Sequence, residues 1–489
     1  MTRSGFRIAA LVLFGALLAT NIYRAATQSI VHDEALTWQL YLSGPASAIF
    51  HYYDPNHHFL ATILFRISTT LFGDSEFALR LPTVLAGAWF FWTVFRLCAL
   101  VLGDGWLFLV GCAALTLNPL LLDFLVAARG YGLATAGLFW ALYQMLAWFQ
   151  DGWSGVPESM LRKRLWKAAL GCSIAVATNL TFLMPVFIVA AAFCVLILRT
   201  VENPAPAAAK PHKKGKKPMP VVVSKPVRSY TAFWNFVIPV AALAVVFLLA
   251  APIDLARSED FYAGTSTGLK SLRNLMDSSF AYGSSSGALH PIEQISTNFA
   301  QIFLPAISLA ALIVAFLMFK PRSTVDLATL LASLTVVGSA LLLIAAHLIS
   351  GIPYPENRTG IYFVPLATLA ALGLARMLME RPGSIRSIGY VLAVALVCLA
   401  VEFAAQWNVN SFLVWRYDAD TKRVFEALEK APKTAGQPDG SVRGRVLRCR
   451  LRSWHAHDVL FVRLRWIIGG QHDDRKREHH NSIPGSRHA

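Results

Sequence analysis

An all-α, polytopic membrane protein is the fold class the chain predicts, and three observations predict it. Hydrophobic residues fill 55% of the 489 positions and charged residues 15%, well below the quarter or so charged in a soluble domain. Apolar runs of ~20 residues, the length of a spanning helix, recur along the chain as far as residue 405. Lys and Arg alternate between successive loops, as membrane orientation requires.

The first run, about Ile8 to Tyr23, follows Arg3 and Arg7 in the manner of a signal peptide. It continues into "RAATQSIVHDE" and many further spans follow, so it reads as an uncleaved signal-anchor helix. Other spans are expected to begin near Leu81, Trp106, Tyr131, Trp166, Phe182, Phe233, Phe299, Val325, Ile361 and Ile388, which makes about eleven. Between the first two lies "NHHFLATILFRISTTLFGDSEFALRLP", apolar and periodic but interrupted by Arg66, Asp74 and Glu76. That pattern suits interfacial helices in the first outer loop better than a clean span.

Orientation follows from the basic residues. With the N-terminus cytoplasmic, the inner segments hold Arg3/Arg7, Arg96, "RKRLWK" from Arg162, "KPHKKGKKP" from Lys210, Lys320/Arg322 and Arg376/Arg381/Arg386. The outer segments hold the His32 loop, 123–129, the loop 254–294 and "SGIPYPENRTG" from Ser350. The chain thus divides into a membrane region, 1–405, and a basic, poorly patterned C-terminal tail, 406–489. Within the first, 202–229 is a Pro/Ala/Lys linker too polar to pack; it is either a tether or a contact for anionic membrane lipids. The tail is either genuine or the product of a frame shift.

Six cysteines stand singly with no C-x-x-C pair, which indicates neither a disulfide framework nor a zinc cluster. The net charge of +16 comes with no basic helix or RNA-binding signature, so nucleic acid is not the expected partner.

Polar clusters gather in the outer segments. His32, Asp33 and Glu34 lie in the first outer loop, followed by "YYDPNHHFL" with Asp54, Asn56, His57 and His58. Asp123 and "ARGYG", with Arg129 and Tyr131, sit at the next outer turn; Lys270, Arg273 and Arg358 follow in later loops. Acids, imidazoles and arginines meeting at one bilayer face mark a site for an anionic substrate. Arg129, Arg358 and either Lys270 or Arg273 are candidates to hold a phosphate, which a guanidinium binds through paired charge-assisted hydrogen bonds. An acid then takes the proton of an attacking hydroxyl. His32 and Asp33 are candidate ligands for a divalent metal, although no cofactor is required by the pattern. Plainer readings stand beside these: an acidic pair capping a helix, Asp123 ending one in water, Arg129 snorkelling to headgroups.

The strings "HDEALTW", "NHHFL", "SEFALRLP", "LLDFLVAARGYGLA" and "YPENRTGIYFVPL", set in this span pattern, resemble the bacterial GT-C glycosyltransferases. Relatives of that family include the protein O-mannosyltransferases and the lipid A aminoarabinose transferases. The likeness runs from about residue 5 to about 405, strongest in the first 150, and "SEFALRLP" is its most specific string. It implies a GT-C-like fold and an inverting transferase of the bacterial inner membrane. The implied donor is a polyprenyl-phosphate sugar, and the acceptor is a glycan, lipid or protein hydroxyl. By motif, Asp33 becomes the candidate base, Glu34 its neighbour and Asp123 the second outer-loop acid. Arg129, Tyr131, Arg358, His57, His58 and Lys270 become substrate-binding candidates. A polyprenol-linked glycan transporter and an inactive scaffold relative are the rival readings. A transporter, however, would place charges deep within its spans.

Overall fold

The computed structural model describes residues 2–54, 56–200, 229–255, 264–280, 290–320 and 323–429. The basic linker up to residue 228, parts 256–263 and 281–289 of the outer loop, and the tail from 430 with its frame-shift reading lie outside the described residues. Among the described residues the only extended pairing is one antiparallel bridge between Thr265 and Tyr354; the rest is helix and turn.

In chain order the helices are α1 (Arg3–Thr27), α2 (His32–Thr37), α3 (Ala48–His51), α4 (Phe59–Phe72), α5 (Glu76–Leu102), α6 (Trp106–Thr116), α7 (Pro119–Phe124) and α8 (Gly130–Trp153). They continue as α9 (Glu158–Thr178), α10 (Leu183–Thr200), α11 (Ser229–Ala250), α12 (Gly268–Phe280), α13 (His290–Leu317), α14 (Thr324–Ser350), α15 (Phe363–Met379), α16 (Ser384–Ala405) and α17 (Thr421–Glu429). Of the stretch 56–82, where interfacial helices are expected, the first part forms α4 and the last part already belongs to α5.

By length and composition, nine helices among the described residues can cross a membrane: α1, α5, α8, α10, α11, α13, α14, α15 and α16. At ~1.5 Å per residue, the 25 residues of α1 reach ~37 Å, beyond the ~30 Å hydrocarbon layer. The other two runs of the expected eleven differ for visible reasons. α6 closes after 11 residues because Asn118 caps a new helix, α7, accepting the Leu121 N–H at 2.9 Å with Pro119 in the first position. α9 has the length, but its first half carries Arg162, Lys163, Arg164 and Lys167.

What faces outward argues for lipid. Val12, Leu85, Leu249, Ile302, Phe316, Leu348 and Val391 are all exposed large apolar side chains on these helices, a load that no water-soluble surface carries. Inside, Ser and Thr hydroxyls return to the carbonyl one turn back, as Thr116 does to Cys112 at 2.7 Å, Ser333 to Thr329 at 2.6 Å and Thr368 to Val364 at 2.8 Å. Where water is scarce, such hydroxyls must be satisfied internally. α8 is buried along almost its whole length and forms the centre, with α5 and α9 against it. It approaches α9 through small residues: a Cβ on Gly137 would stand 2.8 Å from the Gly171 carbonyl, and one on Gly171 would stand 2.7 Å from the Gly137 carbonyl. Backbones pack this closely only where side chains are missing.

The end of α1, the starts of α5 and α8 and the end of α9 meet at one end of the bundle. Across it lie α2 and, returning after α16, residues 406–429, which the sequence reading had assigned to the tail. This returning strap is stitched down. Gln28 donates to the Val409 carbonyl at 2.9 Å, the Leu413 N–H donates to Asp123 at 2.7 Å, and Ser29 donates to the Ala419 carbonyl at 3.0 Å. Its Phe412 and Trp415 are buried.

Candidate active site

The acids Asp33 and Glu34 sit, after His32, in the first turn of α2, where the helix dipole favours negative charge. The two carboxylates part company there. Glu34 occupies the third helical position and turns inward, accepting the Val31 N–H at 3.1 Å. It also accepts the Ala128 N–H at 2.7 Å and two donors of Arg80 at 2.9 and 2.5 Å. It is completely buried, and both oxygens are used. Arg80 in turn donates to the carbonyls of Ala25, Gln28 and Ser29 at 3.3, 2.8 and 2.7 Å, satisfying the C-terminal end of α1. This pair is a clasp joining α1, α2, α5 and the turn before α8. Asp123 is spent in the same way: one oxygen pairs with the buried Arg24 and the other takes the strap's Leu413 N–H. By sequence, Glu34 and Asp123 group with Asp33 as candidate catalytic acids. In the fold both are sealed within the packing.

Asp33 faces the other way. Arg358 stands 2.9 Å from its Oδ2 and Arg129 3.7 Å from the same atom. The indole of Trp415 donates a side-chain hydrogen bond to it. Burial alone raises this carboxyl; Arg129, Arg358 and His32 outweigh that and hold it below the ordinary range. Two ion pairs, Glu34–Arg80 and Asp123–Arg24, neutralise themselves, while two guanidiniums share Asp33. Within this set one positive charge is left over.

Each arginine is positioned by its backbone. Arg129 ends the extended turn that starts α8, and its Nη2 donates to Asn56 at 2.7 Å. Gly130 follows because no side chain fits there: a Cβ would lie 2.0 Å from the Thr178 carbonyl. Arg358 lies in a tight turn, Asn357–Gly360, opened by Asn357 at φ 47°. Asn tolerates that left-handed conformation better than most residues, and Ser278 of α12 donates to its side chain at 2.8 Å. The Arg358 guanidinium lies 5.7 Å from the centre of the Trp415 ring, at cation–π range, and bonds the Tyr131 side chain. It is about a third exposed, so the cluster opens to the outside along it.

Tyr131 meets His58 edge-on at 5.1 Å, which brings His58 into the cluster. His57 points elsewhere, stacked on Tyr41 at 4.1 Å beside a small crevice with Phe59, Phe247 and Asn179. Burial lowers His57 to about 4 and His58 well below its ordinary value. At neutral pH both imidazoles therefore offer hydrogen bonds and not charge. Lys270 stands exposed on the first turn of α12, a helix fastened to the 354–357 loop through Ser271, Asn274 and Ser278. His32 uses its N–H to bond Asp418 of the strap at 2.8 Å.

Asp33 already faces two guanidiniums, which repel a further cation, and among the described residues no three His, Cys, Asp or Glu side chains gather as ligands. Arg80, Trp415 and Asp418 are members of the site that sequence reasoning missed. Only Arg80 carried a signal, a cation at the mouth of an apolar span inside "SEFALRLP".

No protein-family model matches the chain, and no curated protein sequence matches it. Among solved structures, the chain is similar to the oligosaccharyltransferase of Archaeoglobus fulgidus in its apo form, at 11% identity and a TM-score of 0.42 over 89% of this chain and 59% of that one. It thus spans under two thirds of that protein's length. ArnT from Cupriavidus metallidurans in the apo state matches at 13% identity and a TM-score of 0.43, over 88% of this chain and 81% of that one. The same protein bound to undecaprenyl phosphate matches at 15% identity and a TM-score of 0.36, with the same coverage.

Proposed function

We propose that the chain is a membrane glycosyltransferase that moves one sugar, with inversion, from a polyprenyl-phosphate carrier to a hydroxyl of a glycan, lipid or protein. The reaction takes place at the outer face of a bacterial inner membrane, with the N-terminus inside. One observation carries the reading: a single carboxylate, Asp33, shared between Arg129 and the partly exposed Arg358 with positive charge to spare. The family motifs quoted above supply the reaction class.

The geometry suits an exchange of partners. An incoming lipid phosphate competes with Asp33 for both guanidiniums and binds Arg129 and Arg358 by charge-assisted hydrogen bonds. Asp33, relieved of its cations, becomes more basic and accepts the proton of the acceptor hydroxyl. The hydroxyl oxygen forms the new bond at the anomeric carbon from the face opposite the phosphate. The old carbon–oxygen bond breaks, and its electron pair leaves on the lipid phosphate, which the arginines hold. Glu34 and Asp123 touch no substrate in this scheme: Glu34 fixes the α2 turn that carries Asp33, and Asp123 fixes the strap that carries Trp415. His58 and Tyr131 line the sugar side.

Membranes holding the protein, supplied with radiolabelled polyprenyl-phosphate sugar, test this. Wild type should release lipid phosphate and label an acceptor, and Asp33→Asn should slow release by ~10²–10⁴-fold, the usual worth of a general base, at unchanged expression. Near-normal release by that variant would sink the assignment. Carrier movement without cleavage would identify a transporter instead.

A further inference from the structure

A cavity of about 360 Å³ opens at the other end of the bundle from Asp33, among the start of α1, the ends of α5 and α8, and the start of α9. Its walls mix three arginines, Arg7, Arg96 and Arg164, with Tyr143, Gln150 and Asp151, and with the apolar Phe95, Ala99, Leu100 and Ala147. Two of the arginines are committed. Arg7 donates to both oxygens of Asp104 at 2.7 and 2.9 Å. Arg164 donates to Asp151 at 2.9 Å and to Gln144 at 3.0 Å. Arg96 differs. It lies 5.8 Å from the Trp92 ring and 5.7 Å from the Tyr143 ring, and among the described residues no carboxylate pairs with it. Three guanidiniums against Asp104 and Asp151 leave one positive charge inside a concave site.

We infer that this cavity is a second, separate anion site, which takes the phosphodiester headgroup of an anionic phospholipid with Arg96 as the recognising cation. Among the described residues Arg96 meets only aromatic rings, Trp92 and the Tyr143 ring that it shares with Arg164, so its N–H groups remain free for two phosphate oxygens. The apolar wall suits a glycerol and the first carbons of acyl chains. Trp106, exposed at the start of α6 at this end, sits as an interfacial aromatic does at headgroup level. In the orientation expected from Lys and Arg, this is the cytoplasmic leaflet, where basic residues meet anionic lipid. The inference shares no residue with the Asp33 site and stands whether or not the glycosyltransferase reading does.

The test uses the full-length protein purified in mild detergent and native mass spectrometry of retained lipid. Phosphatidylglycerol and phosphatidylcholine are offered in parallel, and inorganic phosphate is offered in a separate calorimetric titration. Wild type should retain one phosphatidylglycerol in preference to phosphatidylcholine. Arg96→Gln should weaken that retention on the order of ten-fold, the scale of a lost charge-assisted pair. Lys163→Gln, which removes an exposed cation of α9 outside the cavity, should leave it unchanged. Thermal unfolding supplies a second reading: phosphatidylglycerol should raise the melting temperature of wild type and not that of Arg96→Gln. Phosphate binding lost in Arg96→Gln, without lipid retention, would keep the anion site and change its source to a soluble phosphate ester. Retention by Arg96→Gln equal to wild type, or no discrimination between the two lipids, overturns the proposal.

Discussion

Adjacent in sequence, Asp33 and Glu34 differ entirely in what surrounds them. Glu34 is closed in by Arg80 and two backbone amides, whereas Asp33 is shared between two arginines beside an opening. Removing one partner of a buried pair strands the other charge, at a cost of ~3–5 kcal/mol. Glu34→Gln should therefore lower the thermal midpoint of the detergent-solubilised protein sharply, while Asp33→Asn, whose partner Arg358 reaches solvent and whose partner Arg129 keeps its bond to Asn56, should lower it less and lose transfer. Equal stability losses in the two variants would remove the distinction drawn between them. Asp418 makes a pH-dependent contact with the α2 turn. Burial pushes its carboxyl up to about 7, with Asp33 and Glu34 adding repulsion against the His32 N–H that opposes it. A carboxyl raised above its unfolded value, ~3.9, contributes stability fully present below that value and lost as pH rises through the folded one. The strap should accordingly loosen between about pH 4 and above 7, and the hydrogen-exchange protection factors at 407–419, with the intrinsic base-catalysed rise divided out, should fall across that window. In Asp418→Asn those protection factors should be flat with pH.

At the scale of elements, most helices could be read from apolar runs because a helix in lipid satisfies its own backbone, and the sequence needs only length and hydropathy to announce it. The exceptions are instructive. α6 and α7 read as one span but break at Asn118-Pro119, where local capping outweighs the continuous apolar pattern. Residues 406–429 read as tail because a strap held by hydrogen bonds to Gln28, Ser29 and Asp123 needs no periodicity of its own. The α8–α9 contact depends on a missing side chain and not on a motif. Gly137→Val would force the Gly171 carbonyl away, with an overpacking cost of ~1–3 kcal/mol. Its outcome should be a lower melting temperature in detergent, with Ser173→Ala on the facing helix α9 as a mild comparison.

At the scale of the whole molecule, the bundle keeps two charged ends apart. One holds Asp33, Arg129 and Arg358; the other holds Arg7, Arg96 and Arg164. Because Arg358 touches Asp33 at 2.9 Å, topology reporters inserted beside residues 33 and 358 must report the same side of the membrane. A reporter in the 202–229 linker should report the opposite side. Opposite signals from the first two positions would separate the residues of the site and leave no shared pocket.

The amino-acid sequence alone determined the fold class, the sites of most spans and the gathering of charges in the loops between them, since hydropathy and the distribution of Lys and Arg are local, additive properties of the chain. Which acid lies beside the opening, which is sealed and which arginines meet it were decided only by tertiary structure. Those outcomes depend on partners such as Arg80, 46 residues from Glu34, and Leu413, 290 residues from Asp123. The fate of a carboxylate is set by what folds against it, and no local pattern carries that information.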